Sequence, residues 1–122
     1  MKANNPNNLN SDKEFDLFEL QSSFCSIFAS PIRLKIFFLL DAGEKSVGEI
    51  AEKLELSLPN LSQHLRIMRD LGAVRTKKSG RIVYYSNANP KFFEGLKLIQ
   101  EGLIEELKKR GSFQTYMSSD FE

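Results

Sequence analysis

The stretch 57–69, SLPNLSQHLRIMR, constrains the fold more than any other because its apolar residues recur at helical spacing. At 100° per residue, one face of an α-helix collects Leu58, Leu61, Leu65 and Met68. The opposite face is small, uncharged or cationic and carries Pro59, Ser62, Gln63 and Arg66. Any amphipathic helix has this pattern, and so does a helix that reads base edges in a DNA major groove. The flanking segments decide between the two interpretations.

The segment before this helix predicts a second, shorter helix. Ser46 and Glu49 have the spacing of a capping box, in which each side chain accepts a backbone N–H of the first turn. The helix continues to about Leu54, and only Glu55 and Leu56 separate it from the next N-cap. Two helices joined by so short a turn predict a helix-turn-helix.

The segment after the central helix predicts a β-hairpin. Residues 74–77 and 82–85 are rich in β-branched and aromatic side chains, which favour strands. Residues 78–81 join the two runs, and Gly80 supplies the positive φ that a tight turn requires. A basic hairpin behind a helix-turn-helix is a wing. The expected fold is therefore mainly α with a small β-hairpin, a winged helix-turn-helix of five helices and a two-stranded wing.

The net charge of +1 conceals an uneven distribution. Residues 57–81 contain six Lys and Arg against one Asp, a net charge of +5, whereas residues 1–56 carry −3 and residues 82–122 carry −1. Phosphate contacts supply most of the affinity of DNA-binding proteins, so this concentration of positive charge favours double-stranded DNA as the partner. A solvated basic face is the alternative interpretation of the charge alone.

The chain is expected to divide into a central domain, residues 12–110, between two tails. Residues 1–11 are rich in asparagine and offer almost nothing to bury, which predicts a disordered N-terminal tail. Residues 111–122 form a C-terminal tail without a clear period. The first helix of the domain is expected from about Asp12 to Phe28, behind a capping box of Ser11 and Glu14.

Two further helices each begin with a cap residue followed by proline, at Ser30-Pro31 and Asn89-Pro90. The former is apolar almost all round, which places it at the centre of the core, and Gly43 ends it. The latter runs to about Lys109.

The first and last helices carry more apolar surface than so small a domain can cover by itself. Exposed patches of that extent mark interaction surfaces, and a symmetric homodimer covers both copies at once. Packing within the chain's own core is the alternative. The expected dimer residues are Leu17, Phe24, Phe28, Phe92, Leu96, Ile99, Leu103 and Leu107.

Several classes of protein are excluded by what the sequence lacks. The longest apolar run, residues 36–40, is far short of the ~20 residues of a membrane span, so no membrane partner is expected. The amino terminus has no export signal and the single cysteine suits a reducing compartment, which together predict a cytoplasmic protein. No nucleophile–base set, phosphate-binding Gly-rich loop or carboxylate pair is visible. We therefore expect no enzymatic activity and no cofactor.

A DNA-binding interpretation assigns two sets of contact residues. The residues expected to read bases are Pro59, Asn60, Ser62 and Gln63. Those expected to hold the DNA backbone, or the minor groove in the case of Arg81, are Ser57, His64, Arg66, Arg69, Lys77, Lys78 and Arg81. The alternative is a winged helix used as a protein-interaction module, which would bind an acidic partner without reading DNA sequence.

Five motifs follow one another along the chain: SPIRLKI at 30–36, SVGEIA at 46–51, LPNLSQHL at 58–65, LGAV at 71–74 and GRIVYY at 80–85. Together they resemble the ArsR family of bacterial and archaeal transcriptional regulators over roughly residues 18–109. The resemblance implies a dimeric winged helix-turn-helix repressor, dimerised through its first and last helices. It also implies an effector that commonly releases the repressor from DNA. The two-fold symmetry of a homodimer predicts an inverted-repeat operator.

Metal sensing is not expected, although many members of that family bind metals. Residues 45–48 lack the Cys-x-Cys pair found there in many members, and residues 90–110 contain no His, Cys or Asp. One imidazole, His64, and one thiol, Cys25, cannot build a tetrahedral zinc site within a subunit. Cys25 is expected to be a small buried hydrophobe, and a redox-reactive thiol near the dimer interface is the alternative. An unknown small-molecule effector, or none, remains open.

Overall fold

The computed structural model describes residues 16–111. Within them the chain forms five α-helices, one 3-10 turn and three short strands. In chain order these are α1 Leu17–Cys25, the 3-10 turn Ser26–Phe28, α2 Pro31–Leu40, β1 Lys45–Ser46, α3 Val47–Leu54, α4 Leu58–Asp70, β2 Val74–Ser79, β3 Ile82–Asn87 and α5 Pro90–Lys109. The predicted winged helix-turn-helix is confirmed. The chain divides into two compact units, of which the first ends at Ala88 and the second begins at Asn89.

Side chains that accept the free backbone N–H groups of the first turn fix where the predicted helices begin. Ser46 Oγ accepts the Glu49 N–H at 3.1 Å while Glu49 Oε1 accepts the Ser46 N–H at 2.8 Å, which completes the capping box of α3. Ser57 Oγ accepts the Asn60 N–H at 3.3 Å and caps α4. Between these helices Glu55 adopts a left-handed conformation with φ 55°, which turns the chain sharply into α4.

The described part of the first helix begins at Leu17 rather than at residue 12. Asp16 is extended, and its Oδ1 accepts the N–H groups of Phe18 at 3.0 Å and of Glu19 at 3.2 Å. An extended residue that caps in this way interrupts any helix arriving from upstream, so Asp16 is the N-cap of α1. The predicted capping box at residues 11–14 and the N-terminal tail lie outside the described residues.

The first helix also ends earlier than predicted. Residues 26–28, expected to be its last turn, form a 3-10 turn instead. The chain must reach the extended N-cap Ser30, with φ −148°, only two residues later, and the tighter 3-10 turn accommodates that change of direction. Of the predicted C-terminal tail only Gly111 lies within the described residues, where its φ of 70° follows the end of α5.

The sheet has three strands in the order β1-β3-β2, whereas the sequence predicted two. The third strand, β1, is the residue pair Lys45–Ser46, which lies antiparallel to β3 opposite Tyr85 and Tyr84. Two residues are too few to show a strand period, so this strand could not be predicted. Its effect is to tie the start of α3 to the base of the wing.

The turn at the tip of the wing is shorter than predicted. Ser79 pairs with Ile82, so only Gly80 and Arg81 connect the strands, rather than the predicted four residues. The backbone of Lys78 pairs with the opposite strand whatever its side chain is. The polar side chains therefore led to a predicted turn that is too long. Gly80 has φ 64°, as expected of a two-residue hairpin turn.

The core of the first unit is built from the apolar faces of α2, α3 and α4. Its fully buried large side chains are Ile27, Ile36, Phe37, Ile50, Leu61, Leu65 and Met68. This confirms three of the four residues predicted for the inner face of α4. The prediction that Leu58 is buried is wrong, since its side chain is 54% exposed. As the first residue of α4 it precedes the turn that reaches the core.

The second unit is dominated by α5, a 20-residue helix in which no residue is buried. Asn89 caps it by accepting the Lys91 N–H on Oδ1 at 2.9 Å. Among the described residues no single helix is both long and apolar enough to cross a membrane; only α1 with its 3-10 turn and α2, taken together with a 92° bend between them, reach the required length and composition.

Candidate nucleic-acid interface

The amino-terminal half of α4 presents the predicted base-reading residues to solvent. Pro59, Asn60, Ser62 and Gln63 are all exposed. Burial of Leu61 and Leu65 on the inner face turns the opposite face toward solvent. Among residues 16–111, the side chains of Asn60, Ser62 and Gln63 make no hydrogen bonds. Their donors and acceptors are therefore available to base edges.

The same face changes character toward the end of α4. Arg66 is exposed and continues the outward stripe, but one turn later the stripe reaches Asp70. Arg69 Nη2 lies 3.3 Å from Asp70 Oδ1, so this predicted phosphate contact already has an anionic partner. An exposed pair of this kind contributes about 0–1 kcal/mol and can exchange its partner. The outward face of α4 is therefore free of negative charge only as far as Arg66, and Arg69 must exchange Asp70 for a phosphate.

Ser57 combines two roles that its hydroxyl can fill together. Its oxygen accepts the Asn60 N–H, which the cap of α4 requires. A hydroxyl also carries one hydrogen to donate, and that hydrogen can still bind a phosphate oxygen. Capping α4 therefore does not prevent Ser57 from making its predicted contact with the DNA backbone.

His64 differs from its neighbours on α4 because it is only partly exposed. Its Nδ1 lies 3.4 Å from Nη1 of Arg33 on α2. An arginine can only donate, so Nδ1 must accept and the hydrogen of the neutral ring must sit on Nε2. Burial first, and the nearby Arg33 charge second, lower the pKa of His64 below its ordinary value of 6.5. Only Nε2–H is left for the predicted phosphate contact.

The wing places its basic residues on two faces. Lys77, Lys78 and Arg81 are all exposed, but successive residues of a strand point to opposite sides, so Lys77 and Lys78 diverge. Arg75 shares the Lys77 side and was missed, although the alternation of β2 could have revealed it. Lys77 Nζ also lies 3.8 Å from Glu44 Oε2, a partner that sequence spacing gave no reason to expect.

The predicted dimer residues fall into two groups. Those of α1 and its 3-10 turn, Leu17, Phe24 and Phe28, are half-buried within the first unit. Phe28 packs edge to face against the core residue Phe37, with ring centroids 5.0 Å apart, so it serves the core as well. Missed among the exposed apolar residues of this helix were Phe18 and Leu20.

In the second unit, the predicted stripe on α5 is half-buried at Phe92, Leu96 and Leu107. Ile99 and Leu103 are exposed, by 62% and 60% respectively, and Leu98, which was not predicted, is exposed by 67%. An apolar helix face with this much free surface is typical of a protein–protein contact.

Cys25, the last residue of α1, is exposed. The expectation that it is a buried hydrophobe is wrong, because Cys25 lies on the solvent-facing side of α1, as Phe18 does one heptad earlier. Among residues 16–111, no three His, Cys, Asp or Glu side chains are close enough to hold a metal ion.

Comparison with known proteins gives this arrangement a family. A model of the arsR family of bacterial regulatory proteins matches residues 30–76. The uncharacterized HTH-type transcriptional regulator Rv0081 of Mycobacterium tuberculosis is 34% identical over 95 residues, which cover 77% of this chain and 83% of the relative. The crystal structure of Rv0081 matches with a TM-score of 0.71 at 34% identity, over 77% of this chain and 95% of that one.

Two other solved structures agree. HlyU from Vibrio cholerae, described as a transcriptional activator, has a TM-score of 0.66 at 31% identity, over 70% of this chain and 94% of that chain. The homodimeric winged helix-turn-helix DNA-binding domain Mb0332 of Mycobacterium bovis has a TM-score of 0.71 at 27% identity, over 76% of this chain and 86% of that one. This chain therefore belongs to the ArsR family of DNA-binding transcriptional regulators, which are not enzymes.

Proposed function

We propose that this protein is a homodimeric repressor that binds an inverted-repeat DNA operator through α4 and the wing. The observation that carries the proposal is the outward face of α4, where the side chains of Asn60, Ser62 and Gln63 are exposed and make no hydrogen bonds within the described residues. A buried inner face holds that helix in place. A rigid helix with free polar side chains at its amino end suits the major groove.

Each base-reading residue has a chemistry that fits a base edge. The amides of Asn60 and Gln63 can bind adenine in a bidentate manner, and the hydroxyl of Ser62 can donate or accept. Pro59 is apolar and exposed, as is Leu58, so both suit contact with thymine methyl groups or with DNA shape. We therefore expect an operator rich in A·T pairs at the positions that α4 contacts.

Backbone contacts complete the DNA surface. Arg66 and Ser57 flank the reading residues on α4, and His64 can donate from Nε2. Arg69 and Lys77 reach phosphates by exchanging Asp70 and Glu44 for them, which costs little because both pairs are exposed. Lys78 completes the set on β2, and Arg81, at the tip of the wing, suits a phosphate or the minor groove.

Dimerisation through the first and last helices is supported by their free apolar surface, Ile99 and Leu103 above all. The related Mb0332 domain is homodimeric. Two-fold symmetry pairs two copies of α4 with half-sites about one helical turn, ~10 bp, apart or a multiple of it. A dimer on an operator that overlaps the promoter represses by occlusion. The relative HlyU is a transcriptional activator. Whether this protein represses or activates should therefore depend on where its operator lies relative to the promoter.

Release from DNA is the least constrained part of the proposal. An effector acts only to the extent that it binds the DNA-free conformation better than the bound one. We rank constitutive repression, or release by an unidentified small molecule, ahead of oxidation of Cys25. Oxidation of Cys25 is chemically accessible because its thiol is exposed. Operator titrations of wild type and Cys25→Ser, with and without peroxide, test whether oxidation of Cys25 releases the DNA. Release by peroxide that persists in Cys25→Ser excludes this thiol as the switch.

The test of sequence reading begins with selection of operator DNA from a random pool and titration of wild type. Gln63→Ala should then weaken operator binding by about 1–3 kcal/mol and leave binding to random DNA nearly unchanged. Lys77→Ala is the matched comparison. As a phosphate contact, its loss should weaken both kinds of DNA and reduce the salt slope by about 1.

Two results would count against the proposal. Equal losses on operator and random DNA for Gln63→Ala would remove its base-reading role. Wild-type protein that selects no sequence, and whose binding does not depend on salt, would favour a protein-interaction module instead.

A further inference from the structure

Arg33 joins three segments of the first unit with one side chain. It is the third residue of α2, and its Nε donates to the carbonyl oxygen of Ile27 in the 3-10 turn at 2.7 Å. Its Nη1 donates to Nδ1 of His64, in the middle of α4, at 3.4 Å. Among the described residues it belongs to none of the ion pairs, so these two acceptors are the partners of its side chain there.

The guanidinium is well suited to such a bridge. It is planar, permanently charged and rich in donors, so two nitrogens on one rigid frame reach two acceptors in fixed directions. Both partners are also held firmly: Ile27 is 1% exposed, and Leu61 and Leu65 anchor α4 on either side of His64. The bridge therefore connects two fixed elements.

The hydrogen bond from Arg33 restricts the rotation of α4 more than apolar packing does. Burial of Leu61 and Leu65 holds α4 against the core, but the hydrophobic effect has no preferred direction, so it resists a small rotation of the helix only weakly. His64 follows Gln63 directly, and a rotation that moves one moves the other. The Arg33 bond to His64 thus bears on the direction in which the base-reading side chains project.

We propose that Arg33 is a positioning residue, which fixes the rotation of the reading helix α4 relative to the 3-10 turn after α1 without itself touching DNA. This inference rests on the proposed function, since it concerns how the same site reads sequence. It assigns His64 a double role: Nδ1 receives the bond that orients the helix, and Nε2–H remains for a phosphate.

Conservative substitutions test the bridge. Arg33→Lys keeps the positive charge but has one nitrogen, which cannot reach both acceptors. We expect it to weaken operator binding by about tenfold, to change binding to random DNA little and to leave the salt slope at its wild-type value. Lys35→Ala, which removes an exposed cation from the same helix, is the matched control and should bind as wild type does.

The two ring nitrogens of His64 are separated by a second pair of variants. Asparagine places its amide oxygen near the position of Nδ1, whereas glutamine places its amide near Nε2. His64→Asn should keep the bond to Arg33 and the preference for operator over random DNA, but it loses the Nε2–H contact and should bind both DNAs more weakly. His64→Gln should lose that preference as Arg33→Lys does. Imidazole 15N shifts of the DNA-free protein should show the Nε2–H tautomer in wild type and a mixture in Arg33→Lys.

The outcomes separate this inference from the function on which it rests. Wild-type protein that selects no DNA overturns the proposed function and this inference together. An operator that binds wild type and Arg33→Lys equally overturns this inference alone, and so does an unchanged tautomer. A salt slope reduced by about 1 in Arg33→Lys would mean that Arg33 holds a phosphate directly, which also overturns the positioning role.

Discussion

The helices α2 and α5 begin in the same way and end in different surroundings. Each starts with a capping side chain followed by proline, and each is rich in apolar residues, which surround most of α2 and form a stripe along α5. In α2 that stripe is buried at Ile36, Phe37 and Leu40. In α5 no residue is buried, and Ile99 and Leu103 are largely exposed.

The difference shows that a helical apolar period identifies surface to be covered but not what covers it. For α2 the covering atoms come from α3 and α4 of the same unit. In α5 the side chains of Ile99 and Leu103 remain largely exposed, and a second copy of the chain would cover them. The two helices should therefore respond differently to substitution and to protein concentration.

The largest expected effect is the loss of a core side chain from α2. Phe37→Ala removes a fully buried ring that contacts Phe28, and should lower the free energy of unfolding by about 3–5 kcal/mol. Urea denaturation at two protein concentrations measures the loss, which should be the same at both. A loss below about 1 kcal/mol would mean that α2 is not the centre of the core.

A charge placed on α5 should act on assembly instead. Ile99→Glu with Leu103→Glu puts two carboxylates in the proposed dimer stripe, each costing on the order of several kcal/mol when desolvated without a partner. The dimer should weaken by roughly 100-fold or more in sedimentation, since ~1.4 kcal/mol is tenfold in affinity. Lys97→Glu, on the polar face of α5, is the control and should leave the dimer intact. A double variant that still sediments as wild type would move the interface elsewhere.

The smallest expected effect is a pH dependence of stability that arises at His64, where α4 packs against α2. Burial and the Arg33 charge lower the pKa of His64, so below its ordinary value of 6.5 the unfolded chain binds a proton more readily than the folded one. The free energy of unfolding should therefore fall as pH drops from 6.5 toward the lower folded pKa. His64→Gln should lack that slope, and a wild-type curve flat across this window would contradict the lowered pKa of His64.

That window is distinct from the one set by the capping box of α3. Hydrogen bonds from the backbone and side chain of Ser46 lower the pKa of Glu49. The stability it contributes is present above 4.5 and is lost as pH falls below that value. Denaturation curves between pH 5 and 7 thus report His64 without interference from Glu49.

Local chemistry is what the sequence determined by itself. Ser46 with Glu49, Ser57 and Asn89 accept N–H groups within a few residues of themselves, so their effect needs no distant partner, and the helices they cap begin where predicted. The inner face of α4 followed from helical geometry in the same way. The order of the motifs then placed the chain in its family.

Only the tertiary structure decided the contacts between distant segments. Leu58 has the period of a core residue but lies ahead of the turn that reaches the core, and Cys25 lies at a position that the core does not cover. Strand β1 exists because β3 offers it a ladder, and the inner nitrogen of His64 is fixed by an arginine 31 residues away. These features depend on which surfaces meet after folding, and a side chain's own period carries no information about its partner.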